Sequence, residues 1–387
     1  MSYLDIGEFY SEFATFDVSL TLPSNYVVCA TGELQNKEEV SWLNLKSSED
    51  ISDISDNTFP ASLKSTKTLN YKQKNVHDFA WFADKRYLVR KGSVILPNTG
   101  RRIDTWAYFT PKNSRIWKNA VAYINHTIVK YSEWNGDYLY SSCSAAEGAL
   151  AVSDGMEYPM VTLLTAIDTT SLENTIVHEV GHNWFYGMLG SNERQNPWMD
   201  EGMNSANELR LTMDKYKDAT STAEKNFSGL GKSINRLFGF SEMKFRDYWQ
   251  LEYHSIAANN FDQPANLMAP EYNWLNYGAV IYRKVGLSFE YLRAYLGDDL
   301  YDKCMKRYFS EWSLKHPSPD DLKEIFSDET KIDLNWFWNG MLSQQGTVDY
   351  KIKSCTASDD KYEVKLINKG RIKAPFLIQA IRNDSIV

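Results

Sequence analysis

Two histidines four residues apart, His178 and His182, with Glu179 beside the first, constrain this chain more than any other feature of it. The text around them, Thr170-Ser-Leu-Glu-Asn-Thr-Ile-Val-His178-Glu179-Val-Gly-His182, reads as a helix, with Thr170 and Glu173 spaced as a capping box at its start. Side chains four apart on a helix stand on one face, a turn apart. Both imidazoles can therefore reach a single ion, while Glu179 points to the side where a bound water would sit. A third donor stands at Glu201, with eighteen residues between it and His182, inside Asn196-Pro-Trp-Met-Asp-Glu-Gly-Met-Asn204, where a second helix can begin. Two imidazoles and one carboxylate leave the fourth tetrahedral position of a zinc ion open, which is a catalytic rather than a structural arrangement. The fold must then bring two helices together around one metal, and we expect one Zn2+ per chain. Glu208 falls two turns after Glu201 on much the same face, within reach of a ligand histidine's free N–H. From position alone a solvated surface glutamate is the simpler reading of Glu208, and Asp200 is a weaker candidate for such a role.

The 387 residues exceed what one hydrophobic core usually serves, so we expect a multidomain α+β chain. Residues 1–104 read as an all-β, sandwich-like domain, from alternating runs such as Phe16-Asp-Val-Ser-Leu-Thr-Leu-Pro23. Ser47 to Asn57, rich in Ser and Asp, reads as a loop. Residues 105–345 read as a mainly helical domain. It begins where Trp117, Val121, Ile124 and Ile128 take helical spacing, and it includes two strand-like stretches, Ala149–Ser153 and Met160–Leu164. Residues 346–387 return to strand-like runs, Tyr362–Ile367 and Ala374–Gln379, as the start of a C-terminal β domain in a chain we expect to be cut short.

A net charge of −8 offers no basic field for phosphates, so no nucleic-acid partner is expected. No apolar run reaches the eighteen or so residues of a membrane span, and the longest is broken by Arg283 and Lys284, so we expect a soluble chain. Cys29, Cys143, Cys304 and Cys355 are too widely spaced for a metal knuckle and argue against a disulfide framework. The N-terminus lacks the pattern of a secretory signal, although a periplasmic or secreted protein whose signal had been removed would read the same. Oligomeric state has no signature in this text. His77, His126, His254 and His316 lack ligand spacing and read as surface or satisfied core residues.

At this point the residues resemble the aminopeptidase N family of zinc metallopeptidases, whose catalytic core is similar to that of thermolysin. The resemblance runs through His178-Glu-Val-Gly-His-Asn-Trp-Phe-Tyr-Gly187, Gly190-Ser-Asn-Glu-Arg194, Trp198-Met-Asp-Glu-Gly202, Tyr282-Arg-Lys284 and Trp336-Phe-Trp338. It implies a thermolysin-like, mainly helical catalytic domain in which Glu179 takes a proton from the attacking water. It also implies that Tyr282 donates to the oxyanion; from the residues alone Tyr282 is a packing tyrosine, and Tyr277 is the second candidate for the role. In this family a Gly-x-Met-Glu-Asn strand edge binds the substrate's free α-amine. Here the text is Asp154-Gly155-Met156-Glu157-Tyr158-Pro159, which keeps Met156 and Glu157 but carries Asp154 and Tyr158 in place of Gly and Asn. Glu157, with Gly155 and Met156, is therefore the expected anchor for a peptide with a free N-terminus. An endopeptidase on the same core, or a catalytically silent scaffold, are the competing readings.

Overall fold

The structure is a computed structural model and describes residues 7, 9–51, 57–150, 154–216, 243–358, 361–379, 381–382 and 385–386. In the N-terminal part, β1 (Ala14–Pro23) alternates half-buried Phe16, Val18, Leu20 and Leu22 with exposed neighbours, the period of a strand with one covered face. Next come β2 (Val27–Ala30), β3 (Glu33–Leu34), α1 (Lys37–Ser47), β4 (Thr66–Val76) and β5 (Trp81–Asp84). β4 lies between β1 and β3, antiparallel to both, and β2 pairs with β5. Leu69 and Tyr71 of the first sheet pack with Val28 and Ala30 of the second. Helix α1 corrects the all-β expectation. Its text is charged and it buries Leu43 alone, so it lacks the apolar stripe by which a helix is read. The expected loop begins at the end of this helix, and residues 52–56 lie outside the described residues.

β6 (Leu88–Ile95) and β7 (Arg102–Phe109) are antiparallel. After α2 (Ser114–Trp117) and α3 (Ala120–Asn135), β8 (Ser142–Glu147) adds parallel to β7, and then come β9 (Gly155–Met156) and β10 (Val161–Leu164). The five-stranded order is β6-β7-β8-β10-β9, with β9 antiparallel at the edge. The expected domain division at residue 104 falls inside β7. Pairing puts the change of sheet between β5 and β6, because β6 is held to β7 along its whole length. The strand expected at 149–153 is not formed at Ala149 and Leu150, and 151–153 lie outside the described residues; the edge strand comes later, at Gly155.

The helical part follows: α4 (Thr169–Gly181), α5 (Met203–Lys215), α6 (Phe245–Ala257), α7 (Trp274–Asn276), α8 (Val285–Leu296), α9 (Asp298–Trp312) and α10 (Pro319–Thr330). Val285, Phe289 and Leu292 bury the core face of α8. α4 and α5 meet at Gly181, where an added Cβ would lie 2.2 Å from Asn204 Oδ1 and 2.7 Å from the Tyr131 ring. Glycine here costs helix propensity but lets the two helices touch. At the C-terminal end β11 (Tyr350–Ser358) and β12 (Lys361–Asn368) form an antiparallel pair with mostly exposed faces, while Ala374–Gln379, expected as a strand, runs without a ladder. All four cysteines are free thiols. No helix among the described residues is long and apolar enough to cross a membrane.

Candidate metal and peptide site

Helix α4 starts two residues earlier than the Thr170/Glu173 reading. Asp168 is the N-cap, accepting from Thr170 N at 2.8 Å and Ser171 N at 2.9 Å, and Ser171 Oγ accepts the Asp168 N–H in return. Glu173 instead meets Lys215, the last residue of α5, and the hydroxyl of Tyr216, which follows it. The far end of α4 carries His178, Glu179 and His182. Glu201 stands in a wider, π-helical turn, Trp198–Gly202, that leads into α5. Such turns displace side chains from the regular helical positions and recur at functional sites; here two consecutive carboxylates, Asp200 and Glu201, both reach the histidines.

His178 Nε2, His182 Nε2 and Glu201 Oε2 form a triangle with sides of 3.0, 3.0 and 3.2 Å. Donors bound tetrahedrally to zinc at about 2.0–2.1 Å stand about 3.3 Å apart, so the triangle fits the ion with little movement. The donor chemistry agrees. His178 Nδ1 lies 3.0 Å from Glu208 Oε2, and His182 Nδ1 lies 2.6 Å from Asp200 Oδ1 and 3.0 Å from Phe185 O. With the Nδ1–H of each ring directed to those acceptors, each Nε2 can offer its lone pair to a cation beside the Glu201 carboxylate. Glu208 is therefore not a solvated glutamate. It is buried, because Gly181 draws α5 against α4, and Asp200 is placed more tightly than its position in the sequence suggested.

A cavity of about 420 Å³ opens over this triangle, lined by Asp154, Gly155, Met156, Glu157, Glu179, Tyr277, Tyr282 and Trp274 among others. Glu179 is buried, and among the described residues its Oε2 finds no hydrogen-bond partner. Burial, opposed by His178 and His182, lifts its carboxyl to about 7. Gly155 is the reason that Glu179 fits: an added Cβ would sit 2.2 Å from Glu179 Oε1. Glu157, buried at the end of the edge strand, has a carboxylate oxygen within 4.8 Å of Glu179 and His182 donor atoms. The strand edge is fixed to the N-terminal sheets through Thr31 Oγ1, which donates to Pro159 O at 2.9 Å.

Tyr282 sits in a second π-helical stretch, Tyr277–Lys284, with its hydroxyl donating to Glu201 Oε1 and its ring stacked on His178 at 5.6 Å. Tyr277 lines the same cavity but is more deeply buried, its ring edge-on to Tyr282. Trp274 and Arg283, both lining the cavity, were not singled out from sequence, and neither was Glu193, which is buried behind Glu157. Arg283 and Glu193 lie inside stretches that carried the resemblance, but no site role was read for any of the three; tertiary packing brings them here. The isolated histidines include a satisfied core residue, His77, whose Nε2 lies 2.8 Å from Tyr186 O.

A metal-competent triangle on two touching helices beside a mixed sheet, with a carboxylate close by, is the arrangement that the sequence resemblance implied. Residues 159–341 match the Peptidase family M1 domain. The chain is similar to the aminopeptidase N of Lactobacillus helveticus, 24% identical over 224 residues covering 55% of this chain and 23% of that protein. It is also similar to the aminopeptidase N of Lactobacillus delbrueckii subsp. lactis, 26% identical over 199 residues covering 49% of this chain and 21% of that protein. Its fold resembles an M1 zinc metallopeptidase from Deinococcus radiodurans, with a TM-score of 0.61 at 15% identity, covering 87% of this chain and 65% of that one. It also resembles Legionella pneumophila aminopeptidase A in complex with aspartic acid, with a TM-score of 0.62 at 14% identity, covering 92% and 38%. The chain thus spans under a quarter of the length of these curated relatives. A Peptidase family M1 domain matches residues 159–341 of a chain that is similar in sequence to aminopeptidase N proteins.

Proposed function

We propose that this chain is a zinc-dependent aminopeptidase that removes residues from the free N-terminus of peptides, with one zinc held by His178, His182 and Glu201. The observation that carries the reading is the donor triangle, whose distal ring nitrogens are both taken by buried carboxylates. Zinc bound there supplies a Lewis acid and lowers the pKa of water to about 7.

The chain's own residues supply the rest. Glu179 Oε2 accepts a proton from the attacking water, and burial suits its carboxyl to hand that proton on to the departing amine. The Tyr282 hydroxyl, standing at the rim of the triangle, donates to the oxygen on which negative charge develops. Glu208 and Asp200 hold the two rings in the tautomer that presents Nε2. Glu157, on the rigid edge of the sheet and close to Glu179, receives the substrate's α-ammonium, which favours an exopeptidase over an endopeptidase. The intact donor set and base weigh against a silent scaffold.

Paired substrates test this reading: amino-acid aminomethylcoumarins and their N-acetylated twins, with the parent chain and Glu157→Gln. Cleavage confined to free-amine substrates, with KM raised by Glu157→Gln, is the expected result. Cleavage of acetylated peptides at internal bonds would favour the endopeptidase.

A further inference from the structure

A second group of acids lies behind the cavity. Glu157, Glu193 and Asp200 are 7%, 2% and 1% exposed, and one oxygen of each falls within 4.8 Å of the others. Three buried carboxylates so close do not all stay charged; a proton must be shared among them. The contacts indicate where it sits. Asp200 is already committed as acceptor of the His182 Nδ1–H at 2.6 Å. Glu193 Oε2 accepts the N–H of Phe9 at 3.1 Å, and a Glu193 carboxylate oxygen lies within 4.8 Å of one of Asp200. Glu193 Oε1 is buried and, among the described residues, has no hydrogen-bond partner. Two acceptors facing each other leave the contact unsatisfied, and a proton on Glu193 turns it into a donated bond. Burial, then the Asp200 and Glu157 charges, push Glu193 well above the usual carboxyl range.

We propose that Glu193 is a positioning residue of the metal centre: as a neutral acid it donates a hydrogen bond to Asp200, keeping Asp200 aimed at the Nδ1–H of His182. The inference rests on His182 being a zinc ligand. It assigns Glu193 neither a charge nor a contact with substrate, and it explains how an acid can be buried on the loop between α4 and α5. An amide retains the acceptor oxygen and supplies an N–H donor where a neutral carboxyl has its O–H, so Gln can replace Glu193 whereas Met cannot.

The test measures zinc affinity by competition with a chromophoric chelator for the parent, Glu193→Gln and Glu193→Met, with circular dichroism and thermal melting to report folding. Glu193→Gln should match the parent, and Glu193→Met should bind zinc about tenfold more weakly, the lower end of the effect of losing a partner behind a ligand. If Gln is as damaging as Met, the charge was needed and the proposal falls; if Met is harmless, Glu193 positions nothing and the proposal also falls. A parent chain that takes up no zinc would instead sink the site reading itself. Should Met fail to fold, the infrared difference between zinc-loaded parent and Glu193→Gln decides. Loss of a neutral-carboxyl C=O stretch is expected, and loss of a carboxylate band would overturn the assignment.

Discussion

Replacing Gly155 by Ala should disable catalysis without touching a metal ligand. The added Cβ would lie 2.2 Å from Glu179 Oε1, 2.3 Å from Cδ and 2.4 Å from Cγ, whereas ordinary contact begins at 3.4 Å. Glu179 must therefore withdraw by about 1 Å, because Gly155 is tied into the edge strand by its register with Leu164 and cannot easily yield instead. A misplacement of about 1 Å in a reacting group costs roughly 10²-fold in rate. Steady-state hydrolysis of a free-amine aminomethylcoumarin should show kcat lowered by about that factor, with zinc content and melting temperature close to the parent's. A Gly155→Ala chain that keeps kcat within about threefold would refute both the close approach and the role of Glu179.

Glu208→Ala removes the acceptor of the His178 Nδ1–H and should weaken zinc binding by about 10- to 100-fold, read by chelator competition; unchanged affinity would mean that the contact is incidental. Tyr282→Phe keeps the ring stacked on His178 but deletes the hydroxyl. We expect kcat to fall by about 10²–10³ with zinc retained, and a loss confined to KM would point away from an oxyanion donor.

Features fixed by local geometry were legible in the sequence, and features made by packing were not. The four-residue spacing of His178 and His182 needs only a helix to bring both rings to one point, and the alternation in β1 is visible before any partner is known. Glu208 read as solvated because its burial depends on how closely α5 approaches α4, which Gly181 decides from the opposite helix. Glu193 stood inside the Gly190–Arg194 stretch of the resemblance with no role legible there, since the acids around it come from the edge strand and from the π-helical turn, not from its own loop. Helix α1 was hidden for a different reason: with one buried side chain it has no periodic apolar face to read. The change of sheet between β5 and β6 was likewise invisible, because strands of either sheet carry the same alternating text.

The most direct test of the central claim is the zinc content of the metal-replete chain measured beside its hydrolysis of free-amine substrates, for the parent and for Glu179→Gln, before and after chelation. The account predicts one zinc per chain in both proteins, chelator-sensitive hydrolysis by the parent and no hydrolysis by Glu179→Gln. Absence of zinc from the parent, or undiminished hydrolysis by Glu179→Gln, would contradict it.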